Sequence, residues 1–133
     1  MLDFIQTIHS IARWAIVLVA IIAVVKFAVG WLGKRNYQPM DRGLMTGFTG
    51  LLDLQLLLGI ILFVIWWVQS EGLLRFRIEH AVTMILAVVV AHLSLRWRNA
   101  ADGIKFRNNL AIIVIAMLLV VGGIFVLPQG WLG

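Results

Sequence analysis

Apolar residues fall in four long runs, separated by short clusters of Gly, Pro, Asn and charged residues. A bilayer core takes about 20 apolar residues in helical form. The run over 108–127 meets that length with no charge, and the run over 43–68 meets it with one, Asp53. The other two are interrupted. Arg13 and Lys26 bracket 12 uncharged residues in the first, and His80 and Arg96 bracket 15 in the third, with His92 among them. Breakers stand between the runs: Gly33 to Pro39, Gln69 to Gly72, Arg98 to Gly103, and Pro128 with Gly130 at the end. The pattern predicts an all-α fold, an integral membrane four-helix up-down bundle. It forms one domain over 1–133, with spans at about 5–32, 43–68, 77–97 and 107–128.

Composition agrees with a bilayer environment, since 62% of the 133 residues are hydrophobic and 13% charged. A soluble domain is nearer half apolar and a quarter charged. The absence of cysteine excludes disulfides, thiolate metal sites and thiol catalysis. A formal charge of +5 invites a nucleic-acid reading, but the cations sit in short loops between apolar runs, where membrane topology places them, so no nucleic-acid partner is expected. The first and third loops hold seven cations: Lys34, Arg35, Arg42, Arg96, Arg98, Lys105 and Arg107. The second loop holds two, Arg75 and Arg77. The positive-inside rule then puts loops 33–42 and 96–107 in the cytoplasm of a bacterial inner membrane and both termini outside. The N-terminus lacks a basic leader region, so the first run is expected to be retained. Trp31, Trp66, Trp67, Trp97 and Trp131 lie near span ends, as an aromatic belt would. Asp102, Lys105 and Arg107 form a basic cytoplasmic loop whose net positive charge suits anionic headgroups.

Ionisable groups inside a span are costly and need partners. His9 lies about one turn inside the outer end of span one, and His80 about one turn inside that of span three. Spans one and three run in the same direction and are diagonal in an up-down bundle, so the two histidines are expected at one level across it. Arg13 follows His9 by one turn on the same face. Asp53, near mid-membrane on span two, is expected to pair with Arg13, while Gln55 points elsewhere. His92 lies about 18 Å deeper than His80 on roughly the same face. Lys26 is expected to snorkel to the inner interface. Gly43, Gly47 and Gly50 mark one side of span two, and Gly122 and Gly123 lie in span four, where small residues permit close helix approach or make room for a flat cofactor.

The order His9-Ser10-Ile11-Ala12-Arg13-Trp14, then Asp53 to Gly59, then Arg75-Phe76-Arg77-Ile78-Glu79-His80, then Ala91-His92, resembles the small bacterial four-helix membrane proteins named "cytochrome B". The resemblance covers most of the chain. It implies haem b and electron transfer within or beside a respiratory or photosynthetic complex. His9, His80 and His92 match the family's histidines, and Arg13, Asp53, Gln55 and Glu79 its polar positions. The chain has three histidines, short of the four that two bis-histidine haems require.

Two readings stand for each polar group. His9 and His80 are either axial ligands to haem iron, for which facing helices are well suited, or interfacial histidines bonded to Glu79, headgroups or water. His92 is a ligand, with Met45 as its axial partner, or a proton carrier; otherwise it is a core histidine bonded to a backbone carbonyl or Ser94. Arg13 and Asp53 either steer a haem propionate, a quinone or a proton, or form a structural pair that fixes register. Other membrane subunits, and a quinone beside Glu79, are the candidate partners besides lipid. A cofactor-free accessory subunit of a larger complex is the alternative function, and a small transporter or proton channel a third. No nucleophile constellation, side-chain metal cluster or phosphate-binding loop is legible, so no self-contained active site is expected.

Overall fold

The computed structural model describes residues 2–71 and 75–128. Four α-helices carry the chain: α1 (Leu2–Leu32), α2 (Pro39–Trp66), α3 (Arg75–His92) and α4 (Asp102–Phe125). A π-helical turn, Trp67–Glu71, extends α2, and a 3-10 turn, Leu93–Trp97, extends α3. Each helix packs on its neighbour in sequence, and α4 closes on α1, leaving α1 diagonal to α3 and α2 diagonal to α4. All four are long and apolar enough to cross a membrane, and α3, which carries two histidines, has the lowest mean hydropathy, 1.8 against 2.6, 2.3 and 2.4 for α1, α2 and α4. Large apolar side chains such as Leu18, Val25, Leu57, Val89 and Leu118 cover the outer surface, as a lipid-facing surface requires.

The helices start earlier than hydropathy alone predicts. Pro39 occupies the first turn of α2, where its missing N–H costs nothing, and Asp41 Oδ2 accepts the Gln38 N–H at 2.8 Å. Asp102 likewise opens α4 with an acid in the first turn, which the positive helix end favours. The joining loops shrink accordingly, and Arg42, Lys105 and Arg107 sit on helices. After α1 the chain reverses in a Schellman motif: Arg35 N–H bonds the Gly30 carbonyl at 2.9 Å and Lys34 N–H the Trp31 carbonyl at 3.3 Å. Lys34 takes the left-handed position, φ 52°.

The core is a stripe on each helix. Ile16, Ala20, Ala23 and Phe27 face inward from α1 at helical spacing, and Met45, Phe48 and Leu52 from α2. Ala87 and Ala91 let α3 approach closely, and α4 contributes Ile112, Ile113, Ala116 and Val120. Close approach is tightest at Gly30, where a methyl group would lie 2.5 Å from the Phe106 ring, and at Gly123, where it would meet Met84 at the same distance. Gly43, Gly47, Gly50 and Gly122 differ from the close-approach expectation: a methyl group on any of them would touch nothing within 4 Å. Trp131 and the Gly130 and Gly72 breakers lie outside the described residues.

Candidate functional site

One end of the bundle gathers polar groups from all four helices. His80 Nδ1–H donates to the Gly123 carbonyl at 2.7 Å. That carbonyl is among the last four of α4, which have no complete intrahelical ladder, so His80 supplies a partner that the helix end lacks. In the neutral ring the bond also fixes the tautomer: with the proton on Nδ1, the lone pair lies on Nε2, the form in which a histidine ligates a metal while its other nitrogen is held by a carbonyl.

His9 lies within electrostatic reach of both His80 and Arg13. Its ring is turned onto α2, and a methyl group at Gly59 would lie 3.4 Å from Nε2. No described residue hydrogen-bonds the His9 ring. Its backbone carbonyl accepts from Gln55 Nε2 at 2.7 Å, which ties α1 to α2. Two buried polar atoms in this layer, Arg13 Nε and Gln55 Oε1, have no hydrogen-bond partner among the described residues. The Arg13 guanidinium lies over the Trp14 ring, 5.5 Å from its centroid. Glu79 is engaged elsewhere, accepting from Arg75 Nε at 2.7 Å on the surface.

The expected pair between Arg13 and Asp53 is not formed. Asp53 Oδ1 instead accepts from His92 Nε2–H at 2.9 Å. The reason is helix phase. Gln55 is the α2 residue that reaches α1, and two residues turn a helix by about 200°. Asp53 therefore faces the other neighbour, α3, and meets His92 there. His92 thus bonds a carboxylate, and Ser94 only lines the same groove, about 290 Å³ in volume, with Met45, Thr46 and Thr49. Both side chains are nearly half exposed on the outer surface, at 44% and 48%.

A second polar cluster, not legible in the sequence, lies at the end carrying the loop 33–38. Lys26 Nζ meets Asp41 Oδ1 at 2.6 Å, an ionic contact outside hydrogen-bonding angles, and the Asp41 side chain is 1% exposed. Lys26 therefore pairs inside the bundle end where snorkelling was expected. Buried Asn109 accepts from Trp97 Nε1 at 2.7 Å and donates to the Tyr37 hydroxyl at 3.0 Å. The Tyr37 hydroxyl reaches the Asp41 carbonyl at 3.4 Å, and Lys105 stands over the Tyr37 ring. Burial pushes the Tyr37 phenol up from its ordinary 10.0, and nearby Asp41 adds to the shift against the Asn109 bond. Trp97 is thus a hydrogen-bonded part of the bundle as well as a span-end aromatic. The polar spacing of Asp41 after Gln38-Pro39 signals a helix start; nothing in the sequence pairs it with Lys26.

The fold defines a four-helix membrane bundle with His80 held by the α4 terminus and the His9 ring set against α2 in one layer. The chain matches no protein-family model, and no curated protein or solved structure shows significant similarity to it. Among the described residues no three His, Asp or Glu converge as a metal-ion cage. A haem needs only two side-chain ligands, and the layer fits that demand in its donors: a His80 Nε2 not engaged by the Gly123 bond and, among the described residues, a second imidazole unbonded at its ring and a buried guanidinium nitrogen without a hydrogen-bond partner.

Proposed function

We propose that the chain is a membrane electron-transfer module of the b-cytochrome type in a bacterial cytoplasmic membrane. His9 and His80 would hold one haem b, which when bound supplies a reversible one-electron carrier. The observation that carries the reading is the Nδ1 bond of His80 to Gly123, made on the helix diagonal to His9 and within electrostatic reach of it. His80 presents Nε2 because the α4 terminus holds its other nitrogen. Arg13 offers a buried donor for a carboxylate such as a propionate. The charge distribution supports both termini outside and the loops containing 33–38 and 98–101 in the cytoplasm. The redox partners would be other membrane subunits or a quinone.

A reduced-minus-oxidised absorption spectrum of gently purified protein, with a pyridine haemochrome assay, tests this. About one haem per chain, lost in His9→Ala and in His80→Ala but kept in His92→Ala, is the expected result. A featureless spectrum from cells with ample haem would refute it. The accessory-subunit reading would then lead. It is favoured by the Asp53–His92 pair, half exposed on a lipid-facing groove, which a neighbouring helix would cover.

A further inference from the structure

The end of the bundle that carries the loop 33–38 has a cleft of about 810 Å³ that the haem reading does not use. Its wall is apolar: Ile21, Val25 and Val29 run along α1 at helical spacing and are half exposed on the outer surface, with Phe106 beneath. Its rim is polar and cationic, formed by Lys26, Lys34, Arg35 and Asn36 around Asp41.

The charges do not cancel. Asp41 is spent on both oxygens, one against Lys26 and the other on the Gln38 N–H. Lys34 and Arg35 make no ion pair among the described residues, so two positive charges and the Asn36 amide remain at the mouth. Lys34 moreover occupies the left-handed position of the Schellman turn, where glycine sits without strain, while Gly33 one residue earlier does not take it. The turn thus sets a long cation at the cleft mouth in a place where glycine would fit at lower cost.

We propose that this cleft is a binding site for one anionic glycerophospholipid. Its phosphodiester lies against Lys34, Arg35 and Asn36, and one acyl chain lies along Ile21, Val25 and Val29. A ligand that satisfies both surfaces needs an anionic head joined to an apolar chain, and the wall is continuous with the lipid-facing side of α1. Basic pockets between membrane helices recognise anionic headgroups on this basis. The site is independent of the haem layer at the other end.

Native mass spectrometry of the full chain in mild detergent, titrated with phosphatidylglycerol, phosphatidylcholine or inorganic phosphate, tests it. One phosphatidylglycerol retained per chain in preference to phosphatidylcholine is expected. Lys34→Gln with Arg35→Gln should weaken it about 25-fold, at about fivefold per cation. Arg96→Gln with Arg98→Gln removes equal charge from the neighbouring segment and should leave binding within about twofold. Lys34→Gly relaxes the turn, so it should fold at least as well and still lose about fivefold. Equal losses in the Arg96/Arg98 control would show diffuse attraction and overturn the site. So would equal retention of the two lipids, unchanged binding in Lys34→Gly, or inorganic phosphate held as tightly as phosphatidylglycerol.

Discussion

Removing the Lys26 ammonium should destabilise the bundle far more than removing both charges of its pair. In Lys26→Met, the Asp41 carboxylate stays buried with the Gln38 N–H as its one remaining partner among the described residues. Orphaning one member of a buried pair costs about 3–5 kcal/mol. Lys26 is itself one-third exposed, which lets headgroups or water screen part of the pair, so the lower end, about 3 kcal/mol, is the expected loss. Asp41→Asn keeps an oxygen for the Gln38 N–H and leaves Lys26 able to reach the surface, so about 1 kcal/mol is lost. The double variant Lys26→Met with Asp41→Asn buries no charge and should cost about 1–2 kcal/mol, giving a coupling of about 2–3 kcal/mol against the sum of the singles. Unfolding by dodecyl sulfate in mixed micelles, followed by helical circular dichroism, measures each variant. Additive losses, or a Lys26→Met cost below about 0.5 kcal/mol, would refute the view that the pair is a desolvated unit.

Tyr37 is the only tyrosine, so absorbance near 295 nm reports it alone. Its folded value is raised by burial, which means the neutral phenol is favoured in the fold; stability it contributes is complete below pH 10.0 and lost as pH climbs through the folded value. Thermal midpoints should hold to about pH 10 and then fall, with Asn109→Leu changing the onset; a flat profile through complete phenol ionisation would contradict this. Gly30→Ala puts a methyl group 2.5 Å from two atoms of the Phe106 ring, which is wedged against Phe27 and Tyr37, and should cost about 2–3 kcal/mol in the same micelle assay, partly restored by Phe106→Leu. Gly123→Ala meets the flexible end of Met84 at 2.5 Å but also the branched Thr83 at 3.2 Å, so α3 and α4 should part by a few tenths of an ångström and lengthen the His80 bond. Imidazole nitrogen-15 shifts should then show His80 losing its fixed Nδ1–H tautomer; unchanged shifts would show that the carbonyl does not set it.

Hydropathy carries the architecture because the bilayer forces it: backbone groups in hydrocarbon must be satisfied within each segment, so a long apolar run has little choice but helix. It misplaces the starts of α2 and α4 because first turns are polar, holding Asp41 and Asp102 for capping and the helix dipole. The partners of polar residues are a different kind of information. They depend on how each helix is rotated about its axis, and an apolar run on all sides does not fix that rotation. Asp53 and Gln55 show the consequence. Both lie near one depth, and the charge of Arg13 makes Asp53 the expected neighbour of α1, yet Gln55 takes that position and sends Asp53 to His92. Lys26 and Asp41 lie on different helices at a similar level, but hydropathy assigned one to snorkelling and the other to a loop.

The two polar ends of the bundle are finished to different degrees, and that difference bears on which of them is a site for chemistry within the chain. At the loop 33–38 end, Asp41, Asn109, Tyr37 and Trp97 all have partners, and what is left over is cationic charge on the surface. Such an arrangement holds loops to helices and offers its spare charge outward. At the other end, Arg13 Nε and Gln55 Oε1 are buried without hydrogen-bond partners among the described residues, beside two imidazoles of which these residues tie down one. A buried polar atom left unpaired costs about 1–3 kcal/mol. Selection for stability alone would replace Gln55 by leucine and Arg13 by an apolar residue of similar length, as most of α1 and α2 already is. Gln55 retains some value through its bond to the His9 carbonyl, so its cost is partly offset; among the described residues Arg13 has no hydrogen bond from its Nε to offset it. The retained guanidinium is therefore the stronger of the two signs that favour the proposed reading, in which Arg13 would meet a ligand carrying negative charge, such as a haem propionate.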